Sequence, residues 1–272
     1  MEMCENEHFA SPQKGFSKTV LVTGGAGFIG SHVVIALVEK YREWNVIALD
    51  KNIDIVFHFA AQTHVENSFL FPAEFTRVNV DGTSVLLNAA RHSGVQRFIH
   101  VSTDEVYGDR TDRATAECTA LSYWKKHQGS GLQSRHFLYV DDVTEAFLTV
   151  MEKGMLGEIY NIGTTFELAV TQLARELIKM MKNLSLDVDV DNWLEFVEDR
   201  PCQDLGYPLV SHKLHGLGWR PRLTGTRRIL TIGWKLKRLS NAASHWLRVN
   251  IVTGFGKLHR PTLVSYTFSF VF

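Results

Sequence analysis

The sequence predicts an α/β protein with a Rossmann-like, doubly wound parallel sheet, incomplete, and the remnant of a small C-terminal substrate lobe. Three observations predict it. Short apolar, β-branched runs alternate with stretches of helical periodicity, the pattern of a parallel sheet covered on both faces. A glycine-rich segment joins the first apolar run to the first helical stretch, and an acid, Asp50, stands twenty residues beyond the last of those glycines.

Each element follows in order. After a polar leader over residues 1–17, Lys18–Thr23 (KTVLVT) reads as a buried strand. GGAGFIGSH and the helical VVIALVEKY come next, then NVIALD, a second strand ending in Asp50. Asp54–Gln62 (DIVFHFAAQ) reads as a third strand, and Phe75–Ser93 as a helix carrying Phe75, Val78, Leu86 and Ala89 on its apolar positions. RFIHVSTDEVYG is a strand running into a polar turn. Ala114–Lys126 and Val143–Glu152 read as helices, EIYNIG as a short strand, and Val170–Lys182 as an amphipathic helix. The implied division is a dinucleotide-binding domain over 18–128, a lobe remnant over 129–222 and a divergent tail over 223–272.

Composition excludes several classes. Of 272 residues, 45% are apolar and 21% charged, which rules against disorder or a collagenous chain. Three scattered cysteines (Cys4, Cys118, Cys202) form neither a disulfide framework nor a zinc pattern, so a reducing, cytoplasmic setting is expected. The acidic start lacks the apolar core of a secretory signal, and no apolar run approaches the roughly 18 residues of a membrane span. The net charge of zero hides a split. Residues 223–272 hold eight basic groups and no acid, leaving 21 basic against 29 acidic groups before them. Such asymmetry marks either a polyanion-binding tail or two parts of different history.

Gly25, Gly27 and Gly30 form GxGxxG, overlapped by Gly24, Gly27 and Gly30 as GxxGxxG. Glycines here allow a tight turn, backbone approach to a pyrophosphate, and close packing of helix on strand. The phosphates would sit on the helix N-terminus, where free N–H groups and the dipole favour negative charge. Asp50 is placed to accept from a ribose hydroxyl pair, which favours NAD over NADP. The plainer alternative is a glycine-rich strand–helix turn with a chance acid.

VTGGAGFIGSH, HFAAQTHV, NVDGT (Asn79–Thr83) and VSTDEVYG together resemble the extended short-chain dehydrogenases. The triplet TDE, with GSGLQSRHFLYVDD, GEIYNIGT, DRP and LGWRP, narrows the resemblance to the dTDP-glucose 4,6-dehydratase family, in its animal form. The likeness covers about residues 18–222 in separate blocks. It implies an NAD-dependent lyase acting on dTDP-glucose. Hydride leaves sugar carbon 4, water is eliminated across carbons 5 and 6, and hydride returns at carbon 6. On this resemblance Asp104 is the acid, Glu105 the base, and the Thr103 hydroxyl orients the sugar. Phe28 and Ile29 flank the pyrophosphate, Asp50 and Lys51 take the adenosine end, and Ala60, Ala61 and Thr63 line the cofactor. His64 faces the sugar nucleotide, Arg135 and Arg200 hold its diphosphate as bidentate forks, and Asn161 is a further nucleotide contact. The family implies a homodimer, with no nucleic-acid or membrane partner. Each assignment has an ordinary alternative: Thr-Asp-Glu as turn chemistry, His64 as a loop histidine, Arg135 as a surface residue, Arg200 as partner to Asp199.

The chain departs from that pattern in four places. The superfamily oxidises the sugar with a tyrosine activated by a lysine four residues later. Four places after its seven tyrosines this chain has Asn45, Thr111, His127, Val143, Thr164, Ser211 and Phe270, so Tyr-x-x-x-Lys is missing. Arg113 stands where the lysine belongs and Asp109 four places before it, and Tyr107 is out of register. A second gap follows Lys126–His127, where the family's next strand is dropped. The third gap leaves only Lys51, Asn52 and Ile53 between two strands that flank the first on opposite sides. Return along the sheet and across it needs roughly 20 Å, whereas four extended steps reach about 14 Å. The expectation is a displaced strand or an unformed sheet, with an apolar sheet face exposed. Fourth, the end after Arg222 reads as a frame-altered segment without an evolved task. WKLKRLSNAASHWLRV is alternatively a basic amphipathic helix, and PTLVSYTFSFVF alternates like an edge strand with an aggregation hazard. Loss of turnover is therefore expected. The alternatives are a non-catalytic NAD- or nucleotide-sugar-binding relative and a poorly folding truncated isoform.

Overall fold

Apolar runs become strands and periodic stretches become helices in a computed structural model that describes residues 17–47, 53–107, 134–182, 190, 192–193, 195–196, 209–222, 225, 250–251 and 268–271. β1 (Lys18–Thr23) turns into α1 (Phe28–Lys40), and β2 (Trp44–Ile47) follows. β3 (Ile55–His58) leads to α2 (Val65–Leu70) and α3 (Pro72–Thr76). One π-helical turn over Arg77–Gly82 then joins α4 (Thr83–His92). The helix expected over Phe75–Ser93 is thus wound in three parts. β4 (Arg97–Val101) ends in a 3₁₀ turn over Asp104–Tyr107. The remaining elements are β5 (Ser134–His136), α5 (Val140–Lys153), β6 (Tyr160–Ile162), β7 (Glu167–Ala169) and α6 (Val170–Lys182). After them come β8 (Glu195–Phe196), α7 (His212–Gly216), β9 (Asn250–Ile251) and β10 (Phe268–Val271). The helix expected over Ala114–Lys126 lies outside the described residues.

The main sheet runs β2-β1-β3-β4-β10-β6. β2 and β3 both pair with β1 in parallel, and β3 pairs with β4 in parallel. The strand order therefore reverses at β1, which is where a doubly wound sheet binds ligands, at its carboxyl edge. β5 and β7 form a separate antiparallel pair, and β8 pairs with β9 in parallel.

Register assigns the two faces. Val20 lies opposite Ile55 and Val22 opposite Phe57, which lies opposite Ile99. These residues share one face, because side chains alternate along a strand. They are buried with Val33 and Leu37 of α1 and with Val143, Ala146, Phe147, Val150 and Met151 of α5. Each large apolar side chain fully buried there contributes about 1.5–3 kcal/mol. Trp219, also buried, donates its indole N–H to the Asp142 carbonyl at 2.9 Å and fastens the chain after α7 to α5. On the other face stand Leu21, Val56 and Phe98, then Thr23, His58 and His100 at the carboxyl edge.

This core crosses residue 128, where the sequence suggested a boundary. α5 and β6 pack with β1 and α1 rather than in a separate lobe. Periodicity reports which face of a helix is apolar and is silent about which layer that face meets.

The expected displacement of a strand does not occur, since β2 and β3 pair with β1 on its two sides. β2 is described over Trp44–Ile47, and residues 48–52 lie outside the described residues. Ile47 lies opposite Leu21 and Ile55 opposite Val20. The connection therefore crosses about 10 Å of sheet, and the eight steps from Ile47 to Ile55 reach well over 20 Å. Asp54 secures the re-entry. Its N–H donates to the Thr19 carbonyl at 2.8 Å, and its Oδ2 accepts from the Thr19 N–H at 2.7 Å. Its carbonyl accepts from the N–H groups of Gln96 and Arg97 at 2.9 and 3.2 Å, so one residue ties the starts of three strands. Nor are the sheet residues of the second face exposed: Leu21 and Val56 are buried.

The alternating end of the chain also departs from expectation. Phe268–Val271 is not at an edge; it lies inside the sheet, antiparallel to β4 on one side and to β6 on the other.

Candidate functional site

The turn between β1 and α1 is built from steric necessity. Gly24 has φ +70°, and a Cβ there would stand 2.8 Å from the Ala60 nitrogen. A Cβ on Gly30 would stand 2.3 Å from the Gly24 carbonyl oxygen. The Gly27 N–H donates to the Gly24 carbonyl at 2.9 Å, and the Ser31 N–H to the Gly27 carbonyl at 2.9 Å. Gly27 caps α1 without any side-chain hydrogen bond, and the first turn carries no acid. The leading N–H groups, from Phe28, Ile29 and Gly30, thus present the positive end of a 13-residue helix with no side chain satisfying them. That donor set fits a dinucleotide diphosphate. Phe28 is partly exposed at the mouth of the turn, while Ile29 packs against the core.

Beside the turn, the chain leaving β3 carries Ala60, Ala61, Thr63 and His64, the last three with only Gln62 among them less than exposed. Asn79 fixes this stretch from the π-helical turn. Its side-chain oxygen accepts from the Gln62 N–H at 2.8 Å and its amide donates to the Gln62 carbonyl at 2.9 Å. His64 occupies the N-cap position of α2, and its carbonyl accepts from the Ser68 N–H at 3.2 Å. Its ring makes no capping bond. The exposed imidazole is thus compatible with a ligand contact and with the plain loop reading.

Three histidine and threonine contacts brace the same edge. His58 is 6% exposed, with Nδ1 2.7 Å from the Thr23 hydroxyl and Nε2 2.9 Å from the Thr83 hydroxyl. Thr23 also accepts from the Ala60 N–H at 3.4 Å. The His100 ring stacks on His58 with centroids 5.5 Å apart. Burial holds both imidazoles below their ordinary pKa, and the neighbouring His100 lowers His58 further. Burial thus biases both rings toward the neutral form. The His100 Nδ1 is buried with no hydrogen-bond partner among the described residues.

At the end of β4, Thr103 is exposed, and Asp104 and Glu105 follow in the 3₁₀ turn. The Val106 N–H donates to the Thr103 carbonyl at 3.4 Å. The backbone thus brings the Thr-Asp-Glu triplet to the sheet edge that carries the glycine turn, with Ala60 against Gly24 between them. Other predicted residues are not gathered there. Arg135 sits on β5 of the small sheet and donates to the Ser134 carbonyl at 2.9 Å. Asn161 is fully buried; it accepts from the Tyr107 hydroxyl at 3.1 Å and donates to the Val210 carbonyl at 3.3 Å. In this conformation its amide serves the interior. Asp50, Lys51 and Arg200 lie outside the described residues.

No described tyrosine is set up as a base. Tyr107 is buried with its hydroxyl committed to Asn161. Burial and hydrogen bonding to Glu152 push the Tyr41 phenol up to about 12. Burial, with Asp141 and Asp142 nearby, raises Tyr139. Tyr160 is buried and accepts from the Met155 N–H at 2.8 Å. Among the described residues no group of three or more His, Cys, Asp or Glu side chains could hold a metal ion. No helix among them is long and apolar enough to cross a membrane.

Sequence reasoning passed over His58, Thr83 and Asn79 as individual residues. A signal existed for the last two: they stand four apart, on one side of a helical turn, and both bond residues leaving β3.

A glycine turn after the first strand and a strand order reversing at β1 define a Rossmann-like, dinucleotide-binding type of protein. A family model described as GDP-mannose 4,6 dehydratase matches residues 47–123, and one described as NAD dependent epimerase/dehydratase family matches residues 118–163. Human dTDP-D-glucose 4,6-dehydratase is 39% identical over 334 aligned residues, covering 88% of this chain and 95% of the relative. The mouse protein of that name is 38% identical, covering 89% of this chain and 95% of its own. The chain belongs to the dTDP-glucose 4,6-dehydratase family. An alignment of 334 positions exceeds the 272 residues present, so dozens of positions in the relative have no counterpart here.

Solved structures agree. DesIV, a dTDP-glucose 4,6-dehydratase from Streptomyces venezuelae with NAD and TYD bound, superposes with a TM-score of 0.67 at 25% identity, covering 82% of this chain and 98% of that one. UDP-glucose 4-epimerase from Thermotoga maritima, with UDP-glucose, gives 0.64 at 25% identity, covering 81% and 99%.

Proposed function

We propose that this chain is a nucleotide-sugar protein of the dTDP-glucose 4,6-dehydratase type that binds NAD and dTDP-glucose and does not complete the reaction. The glycine turn carries the reading: Gly24 and Gly30 are sites where a Cβ would strike backbone, beneath a helix end with no cap of its own. Phe28, Ile29 and Gly30 offer backbone N–H groups to the diphosphate, with Gly24 and Gly27 shaping the approach. Ala60, Ala61 and Thr63 line the cofactor, and Asp50 and Lys51 take its adenosine end. The bound NAD supplies the hydride acceptor and donor of the family's internal redox cycle.

Toward the sugar, the family's elimination step would be served by Thr103 orienting the substrate, Asp104 as the acid for the departing hydroxyl and Glu105 as the base for the carbon-bound proton. Two adjacent carboxyls can divide those roles when their surroundings separate their pKa values. His64, Arg135 and Arg200 contact the sugar nucleotide. The first step still needs a base for the sugar hydroxyl, and no Tyr-x-x-x-Lys supplies it. The cysteine usage favours the cytoplasm, and the family favours a homodimer.

The test is incubation of the full chain with dTDP-glucose and NAD, followed by chromatography and calorimetry. The expected outcome is NAD binding without 4-keto-6-deoxy product. Accumulating product would overturn the loss of turnover. Absence of any NAD binding at millimolar cofactor would overturn the binding role and favour a poorly folding isoform.

A further inference from the structure

We propose that Phe268–Val271 is an internal clip: it fills a strand-wide slot between β4 and β6 and holds the strand that carries Thr103, Asp104 and Glu105. The inference rests on strand pairing alone and stands whether or not the proposed chemistry does.

The sheet itself argues for a slot. β10 is antiparallel to both neighbours, so β4 and β6 run in the same direction as β1 and β3. Without β10 the sheet would hold five parallel strands with a gap before the last. Consecutive strands of a parallel sheet are usually adjacent; here the chain leaves β4, passes through α5 and returns at β6, two strand positions away. Two spacings of about 4.8 Å fit one extended segment.

The slot also needs an occupant. Tyr160, Asn161 and Ile162 of β6 are all buried, and among the described residues the sheet partner of β6 is β10. Backbone groups of a buried strand are nearly always paired, and β10 supplies the ladder on this side of β6. Phe268 lies opposite Ile162, Ser269 opposite Asn161, and Phe270 opposite both Tyr160 and Val101. The segment FSFV, rich in aromatic and β-branched residues, suits such a position. Strand addition of this kind uses backbone bonds for affinity. Here the added strand belongs to the same chain, more than a hundred residues beyond β6.

The consequence reaches the site. Val101, paired with Phe270, stands two residues before Thr103. Among the described residues the other side of β4 pairs with β3. The clip therefore fixes the second side of the strand from which the Thr-Asp-Glu turn departs.

Two measurements on the full chain test this. In the double variant Val101→Cys and Phe270→Cys, the two introduced thiols face each other across an antiparallel pair. Partners in such pairs stand about 4.5–5.5 Å apart, within the range a disulfide spans. Mild oxidation should yield that cross-link, identified by peptide mass spectrometry; thiols that stay reduced, or that pair only with Cys4, Cys118 or Cys202, would refute the clip. In the single variant Phe270→Pro, which cannot donate to a ladder, amide exchange at Asn161 and Ile162 should accelerate at least tenfold while Val22 and Phe57 keep their protection. Unchanged exchange at β6 would refute it equally, and because Val22 and Phe57 report on global folding, a collapsed variant is recognised and the cross-link then decides.

Discussion

On one face of the sheet, Val20, Val22, Ile55, Phe57 and Ile99 meet Val33 and Leu37 of α1 and Phe147 and Val150 of α5 in an all-apolar contact. On the other face the same strands carry Thr23, His58 and His100, and His58 reaches Thr83 at the start of α4, whose Val85 and Leu87 are exposed. The first face holds the chain together by area removed from water. The second holds it by a few directed bonds that also shape the site. Truncating a side chain should therefore cost most stability where burial is dense, whereas single hydrogen bonds set the shape of the site edge.

The comparison can be broken most severely at the apolar face. Phe147→Ala should cost about 3–5 kcal/mol, measured as a shift of the urea midpoint, whereas Val85→Ala on the exposed side of α4 should stay within about 0.5 kcal/mol. Similar losses at the two positions would erase the distinction between the faces. A smaller effect is expected at the turn. Gly30→Ala forces a Cβ toward the Gly24 carbonyl, and NAD affinity should fall roughly tenfold or more, about 1.4 kcal/mol or greater. Calorimetric affinity equal to that of the unaltered chain would remove the turn from the cofactor site.

The smallest effect is the pH response of the second face. His58 and His100 have folded pKa values below the unfolded value of about 6.5, because burial disfavours the charged imidazole. Between those values the unfolded chain binds more protons than the folded one. Stability from this source is therefore present above about pH 6.5 and declines as pH falls toward the folded values. Urea midpoints taken from pH 7.5 down to 5.5 should fall, and less steeply in His100→Asn. An identical slope in that variant would show that the pair is not the origin.

Much of this was legible from local pattern. KTVLVT, the glycine turn and the helix after it are set by residues close in sequence, and Val170–Lys182 has the bounds its periodicity predicts. What escaped was decided at long range. The place of Phe268–Val271 depends on partners more than a hundred residues away. Asn161 is a nucleotide contact by the family resemblance, and its place in YNIG does not announce the Tyr107 hydroxyl and Val210 carbonyl that engage it here. His58 was visible only as part of HFAAQ, since its threonine partners come from β1 and α4.

Asp54 has one more consequence, for where such a chain can be cut. Its bonds to Thr19, Gln96 and Arg97 pin the residue just before β3 against two other strands. Side chains alternate along a strand, so a slip of one residue would turn Ile55 and Phe57 out of the core and swing Val56 and His58 into it. Residues removed from the connector ahead of Asp54 shorten a span with slack to give. One residue removed at or just after Asp54 inverts the strand. A gene encoding this family can thus lose a long stretch on one side of that carboxylate, and on the other side not a single codon.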